Sequence, residues 1–272
     1  MDNLLNDLSG AEWLYWTSTI YPTNYPPDPT HVLRKKHGAI KPPQLMAEII
    51  SFFTKKGETV LDPFAGTGST LLGAAMTGRK AIGIELNPDW VKVFHDIKKN
   101  FTLKKNTFLP EPGGEKIQGI MINGDCLLEL KKFPSEHLAA VITDPPYGCR
   151  HRVRFMKETN FSMFNHGEDK DLGNTPDFAA YLEKISEFGE EAWRVLKHQR
   201  YLVLMVGDRY QDGEFFPLSY KVAKKMQKAG FKWKGMRVWW NQATRRPLKP
   251  YAVKRCYVPN IVHQNILIFR KG

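Results

Sequence analysis

The C-terminal fifth of the chain has no acidic residue. After Glu214 there is not one Asp or Glu, while residues 215–272 carry 14 Lys and Arg. Residues 1–214 hold all 28 acids and 26 of the 40 Lys and Arg, so the whole surplus behind the formal charge of +12 falls at one end. Such a one-sided basic region is an electrostatic footprint for a polyanion. Solubility alone asks for no such segregation. Cysteine is scarce as well. Cys126, Cys149 and Cys256 lie far apart, with no CxxC spacing and no even set for disulfides, which predicts reduced thiols and no zinc or other metal site. No apolar run approaches the roughly 18 residues of a membrane helix, and the opening MDNLLNDLSGAEW lacks the basic-then-apolar layout of a signal peptide. The expectation is a cytoplasmic protein. Internal repeats and low-complexity linkers are also missing.

What is there suits one α/β domain spanning 1–272. The 272 residues are 42% hydrophobic and 12% aromatic, enough for a sizeable core and against disorder. YPTNYPPDPT (21–30) reads as a loop within an irregular segment 1–41. Pro42 and Pro43 then open a helix through Phe53, since proline fits the first helical turn. Short apolar strands follow at 59–64, 81–85, 117–122, 139–143, 201–206, 237–240 and 266–269, with helices at 70–77, 88–100, 177–195 and 218–229. Strand–helix alternation predicts a parallel sheet covered on both faces. No helix separates the last two strands, so the final one is expected to be antiparallel. The longest polar stretch, 149–175, is an insertion of the length that serves function or motion. It follows a candidate active-site strand and combines arginines with Phe155, Phe161, Met163 and Phe164. It is expected to close over a bound target, with Gly167 and Gly173 as hinges.

Two segments carry chemistry. In ETVLDPFAGTGST (58–70) a strand runs into Asp62-Pro63-Phe64-Ala65-Gly66-Thr67-Gly68 and a helix follows. Gly66 and Gly68 permit a tight turn and close approach of a ligand, and the helix N-terminus presents free N–H groups. The glycines do not complete the GxGxxG of dinucleotide enzymes. Instead Glu85 ends the next strand, in AIGIELNP, where a carboxylate can accept both hydroxyls of a ribose. Asp125, in NGDC after the third strand, stands where a second carboxylate can accept from an adenine amino group. All three lie at the carboxyl edge, where α/β sheets bind ligands.

The fourth strand ends in AVITDPPYG (140–148). An exocyclic amine is a poor nucleophile because its lone pair is delocalised into the ring. Asp144 can accept one amine hydrogen and the carbonyl of Pro145 the other, drawing the nitrogen toward tetrahedral geometry. Pro145 and Pro146 hold that carbonyl rigidly, each fixing φ and lacking an N–H. Tyr147 offers a flat face to stack a base that has left its duplex.

These segments resemble the amino-methyltransferases of DNA, the family of N6-adenine and N4-cytosine methylases, over nearly the whole chain. His37-Gly38-Ala39-Ile40-Lys41-Pro42-Pro43-Gln44-Leu45 looks like the family segment that opens a helix ahead of the glycine loop and lines the methionine end of the cofactor. DPFAGTGST with GRKAIGIELNP looks like its cofactor core, DPPY like its catalytic tetrad, and the closing NILIFRKG like its last strand. The resemblance implies a Rossmann-like class I methyltransferase with a seven-stranded, mostly parallel sheet. It implies S-adenosyl-L-methionine as cofactor, held by Lys41, Pro42, Asp62, Phe64, Ala65, Gly66, Thr67, Gly68, Ser69, Glu85, Leu86, Asp125 and Cys126. It also implies direct methyl transfer to a flipped base at Asp144, Pro145, Pro146 and Tyr147. Aspartate at the first tetrad position favours adenine N6 over cytosine N4. The implied setting is a prokaryotic or phage protein acting on double-stranded DNA as monomer or homodimer, with a specificity subunit or partner nuclease where one exists.

Two basic segments suit DNA phosphates: Arg150, Arg152, Arg154 and Lys157 after the tetrad, and ATRRPLKPYAVKR (243–255) with Arg245, Arg246 and Lys249. Trp233, Trp239, Trp240, Tyr251 and Tyr257 surround the second, where bases can stack. Three other readings stay open. RNA methyltransferases acting on guanine N2 also carry a glycine loop followed by TDPPYG, though without the Lys41-Pro42 segment. An idle DNA-binding subunit would show damage in the tetrad or the glycine loop, and both are intact. Methylation of a protein amide sits poorly with the acid-free tail.

Overall fold

Val60 and Leu61 are neighbours in sequence and face opposite layers of the molecule, as do Ile142 and Val141, and Val203 and Leu202. This two-residue alternation, apolar on both sides, is what a sheet buried on both faces requires. The computed structural model describes residues 3–110, 113–148, 170–211, 213–244 and 248–272.

The elements run α1 (Gly10–Trp16), β1 (Ile20–Thr23), α2 (His31–Arg34), α3 (Pro43–Phe53), β2 (Thr59–Asp62), α4 (Ser69–Met76), β3 (Lys80–Glu85) and α5 (Pro88–Asn100). Next come β4 (Phe101–Lys104), β5 (Thr107–Pro110) and β6 (Glu115–Lys116), which form a small separate antiparallel sheet. After β7 (Ile120–Asn123), α6 (Cys126–Leu130), β8 (Leu138–Thr143), α7 (Phe178–Val195) and β9 (Leu196–Val206) there is a hairpin of β10 (Arg209–Gln211) and β11 (Glu214–Phe216). The chain ends with α8 (Leu218–Lys228), β12 (Phe231–Asn241) and β13 (Gln264–Lys271). The main sheet has the order β1-β12-β13-β9-β8-β2-β3-β7. Its core contains α1, α3, α4 and α5 on one face and α6, α7 and α8 on the other.

All seven expected strands are present, and β13 runs antiparallel to both β9 and β12. The main sheet has eight strands rather than seven. Part of the segment expected to be irregular, Ile20–Thr23, pairs parallel with β12 as an eighth strand. Pro22 lacks an N–H, so the strand fits only at an edge, where it lies. Helix ends follow local signals: Asn87 caps α5 ahead of Pro88, and Asp177 caps α7. The insertion also shifts at its end. Residues 149–169 lie outside the described part, but Leu172–Asn174 forms a 3-10 turn, with Leu172 and Gly173 buried and Asp171 capping it. Gly173, expected as a hinge, is packed within that turn.

The N-terminal segment is fastened by a charge. Arg34 is 1% exposed and pairs with Asp28. It also donates to Thr30 Oγ1 at 3.0 Å, to Ser69 Oγ at 3.0 Å and to the Lys41 carbonyl at 3.2 Å. Removing one member of a buried pair leaves the other charge uncompensated. Asp28→Ala should lower the unfolding free energy by about 3–5 kcal/mol, and Asp28→Ala with Arg34→Met should recover part of that loss in urea titrations. A loss within ~0.5 kcal/mol for the single variant would show that the pair is not an anchor.

Candidate active site at the carboxyl edge of the sheet

Parallel strands bring the ends of β2, β3, β7, β8 and β9 to one edge, and the chain-distant motifs meet there. Gly66 and Gly68 have φ of +52° and +85°, the left-handed region that a side chain resists. A Cβ on Gly68 would stand 2.4 Å from the Phe94 ring, and one on Gly66 3.2 Å from His37 Nε2. The loop is thus tight for packing as well as for φ. Glu85, at the end of β3, accepts from the Gly66 N–H at 2.8 Å and the Asn87 N–H at 2.7 Å. Burial pushes its carboxyl up to about 7. Asp125 caps α6 by accepting from Leu127 N at 2.8 Å, and Cys126 beside it is buried.

Asp62 is turned to neighbouring donors of the chain. It is buried and accepts from Thr70 Oγ1 on α4, from Thr143 Oγ1 on β8, and from the Phe64 N–H at 3.1 Å. One carboxylate therefore joins the glycine loop, its helix and the strand that ends in the tetrad. Burial pushes it up to about 6 against those donors. Ser69 is likewise turned inward, to Arg34.

In the tetrad, Tyr147 Oη donates to Asp144 Oδ1, and Lys41 Nζ donates to Asp144 Oδ2 and, at 3.2 Å, to Tyr147 Oη. The Pro146 carbonyl accepts from Tyr181 Oη at 2.6 Å and from Gly148 N at 3.1 Å. The Pro145 carbonyl has no such partner among the described residues. Arg209 Nη1 donates to the Tyr147 carbonyl, and the Tyr147 ring lies against Gly207, where a Cβ would stand 3.1 Å from Cδ2. Asp208 next to it accepts from Ser219 N and Oγ at 2.8 and 2.7 Å and from Asn265 Nδ2 at 2.9 Å. Arg34, Tyr181, Gly207 and Arg209 escape sequence reading because no local pattern marks them.

S-adenosylmethionine, the cofactor the resemblance implies, fits these residues. The left-handed glycine turn leads straight into the N-terminus of α4. His37 Nδ1 and Thr67 Oγ1 beside it are buried polar atoms without partners among the described residues. Burial, then the Lys41 and Arg34 charges, push His37 down to about 4, so the ring is neutral and offers both a donor and an acceptor.

The basic tail divides. Arg237 is buried, its guanidinium 4.1 Å from the Trp16 ring centroid and 3.7 Å from that of Tyr21, and Lys271 is buried against Trp193 and the Leu196 carbonyl. Both are structural. Lys232 and Lys234 start β12, at the edge opposite the site. Lys249 lies on the β12–β13 connection at the site edge. Its N–H donates to Asn260 Oδ1 at 2.8 Å, and Asn260 Nδ2 donates back to its carbonyl at 3.0 Å. Trp240, Tyr251 and Tyr257 are exposed, whereas Trp239 is buried on Thr23 and Trp233 packs on Phe269. Arg150, Arg152, Arg154, Lys157, Arg245 and Arg246 lie outside the described residues.

Asp62 supplies a pH test. Its folded value of about 6 lies above the ordinary aspartate range. The folded state therefore keeps a proton that the unfolded chain releases near pH 4. The stabilisation is full below that pH and is lost as pH rises through about 6. Between pH 4 and pH 7.5 the unfolding free energy of wild type should fall by roughly 2–3 kcal/mol more than that of Asp62→Asn. Parallel pH curves for the two proteins would exclude a protonated Asp62.

The N6/N4 methyltransferase family described as DNA methylase matches residues 7–96 and 138–272. The chain is 36% identical over 104 residues to the type II methyltransferase M.BglI of Bacillus subtilis, a stretch covering 37% of this chain and 28% of that one. It is 31% identical over 94 residues to a probable tRNA (guanine(10)-N2)-dimethyltransferase of Methanothermococcus thermolithotrophicus, covering 35% and 53%. The matched stretches thus span about half or less of these relatives. The solved structure of TrmN from Thermus thermophilus superposes with a TM-score of 0.51 at 15% identity, over 90% of this chain and 52% of that one, a likeness of fold. With this fold and the match over most of its length, the chain belongs to the N6/N4 DNA methylase family of S-adenosylmethionine-dependent methyltransferases.

Proposed function

We propose that this chain methylates N6 of adenine in double-stranded DNA. The observation that carries the reading is the tetrad itself. Asp144 and the Pro145 carbonyl are two acceptors on one rigid turn, and the neighbouring Pro146 carbonyl is already taken by Tyr181. A carboxylate and a carbonyl can each accept one hydrogen of the target amine, which turns its lone pair out of conjugation. S-adenosylmethionine supplies an electrophilic methyl group carrying its own leaving group. The residues of the chain then position and hydrogen-bond, and no covalent intermediate with the protein is needed. Tyr147, backed by Gly207 and held at its carbonyl by Arg209, stacks the base. The Lys249 loop and the arginines of 150–154 and 245–246 contact phosphates.

Adenine rather than cytosine rests on aspartate at the first tetrad position. Guanine N2 of tRNA is the second reading, favoured by the likeness to the Methanothermococcus protein. Transfer of tritiated methyl to DNA and to tRNA, followed by nucleoside chromatography, should yield N6-methyladenine from DNA. Label in N2-methylguanosine alone would select the second reading. Asp144→Ala should abolish transfer while the affinity for S-adenosylhomocysteine stays within a few fold. Tyr147→Ala should weaken target binding by about 1–3 kcal/mol.

Phosphate contact has its own signature. Each one lost lowers the slope of log affinity against log salt by about 0.9. Replacing Arg245, Arg246 and Lys249 together by alanine should flatten that slope for all DNA sequences alike. An unchanged slope would move the DNA face elsewhere.

A further inference from the structure

We propose that Lys41 is a positioning residue of the tetrad rather than a cofactor ligand. Its ammonium holds Asp144 and Tyr147 in the one arrangement that can receive a target amine. Lys41 is 6% exposed, and its ammonium is turned to the tetrad. Nζ donates to Asp144 Oδ2 and to Tyr147 Oη, and lies 5.6 Å from the Tyr147 ring centroid. Tyr147 Oη closes the triangle by donating to Asp144 Oδ1. The base of the side chain is equally fixed. Its carbonyl accepts from the buried Arg34 at 3.2 Å, and Pro42 and Pro43 follow at the start of α3.

An ionised carboxylate offers about four lone-pair sites on two oxygens. Lys41 and Tyr147 occupy one on each oxygen, which leaves one on each for an incoming amine hydrogen. An aspartate carboxylate otherwise turns freely, because its terminal torsion is broad and roughly two-fold. With the ammonium in place that torsion is set, and so is the ring on which the base stacks. The ammonium also compensates a carboxylate that is only 20% exposed. One cation thereby aligns both the acceptor and the stacking surface.

The proposal rests on the reading that Asp144 receives the target amine, so the acceptor is first fixed with wild-type protein. A wild type that methylates no nucleic acid refutes that reading, and Lys41 with it. With the acceptor in hand, Lys41→Met and Lys41→Arg are compared by single-turnover and steady-state methylation, and by calorimetry with S-adenosylhomocysteine. Misplacement of reacting groups costs on the order of 100-fold. Lys41→Met should therefore lower kcat by roughly that factor, with cofactor affinity within threefold. Lys41→Arg, which keeps a donor and a positive charge, should recover most of the loss. A rise confined to the cofactor dissociation constant or to either KM, with kcat intact, overturns the proposal. So does an arginine variant no better than the methionine one. Should Lys41→Met melt well below wild type, Lys41→Gln, with an uncharged donor on a similar stem, carries the same comparison.

Discussion

A single buried carboxylate keeps the site in register. Asp62 ends β2, between β3 and β8 in the sheet, and accepts from the glycine-loop backbone, from Thr70 on α4 and from Thr143, the residue before the tetrad. Glycine loop and tetrad are therefore not two motifs that happen to be adjacent. They share one acceptor, and neither moves without straining it. The donors explain why a fully enclosed carboxyl is tolerated, since burying a polar group costs little only when it is hydrogen-bonded. On the other side of the loop, Arg34 does the corresponding work for the N-terminal segment, reaching Ser69 and the Lys41 carbonyl together. The tetrad is thus held from two directions, through Thr143 by the sheet and through Lys41 by the segment that precedes it.

Charge has two uses in this chain, and the structure separates them. Arg34, Arg237 and Lys271 are buried and bind carbonyls, rings or a carboxylate. They tie distant parts of the chain together: Arg237 binds the carbonyl of Ser18, just before the edge strand β1. The acid-free character of the tail is a property of sequence, but only the part at the carboxyl edge belongs to the proposed nucleic-acid face.

Most of the sheet was legible because its signals are local. Apolar runs of strand length, Asn87-Pro88 at a helix start and Gly66 and Gly68 in a turn each announce themselves within a few residues. DPPY is legible for the same reason. The edge strand β1 was not, because two prolines and two tyrosines in YPTNYP carry no alternation, and its partner Val238–Asn241 lies more than two hundred residues away. Arg34, Tyr181 and Gly207 were hidden by the same distance. A buried arginine reads as a surface one until its acceptors are known, and a glycine facing a tyrosine ring looks like any loop glycine. Asp62 was legible as part of the glycine-loop motif, but its threonine partners were not, since they lie 8 and 81 residues away.

The loop between β12 and β13 is closed at its neck by two bonds between the main chain of Lys249 and the side chain of Asn260. Neither bond uses a side chain from the ten residues they enclose. The neck therefore does not depend on the side chains of Tyr251, Val253 and Tyr257, which stand exposed on it. Such an arrangement works as an interchangeable cassette: its contents can drift, one surface residue at a time, while the sheet, the glycine turn and the tetrad go on unchanged. Lineages that share this scaffold can diverge in what they touch without diverging in what they do.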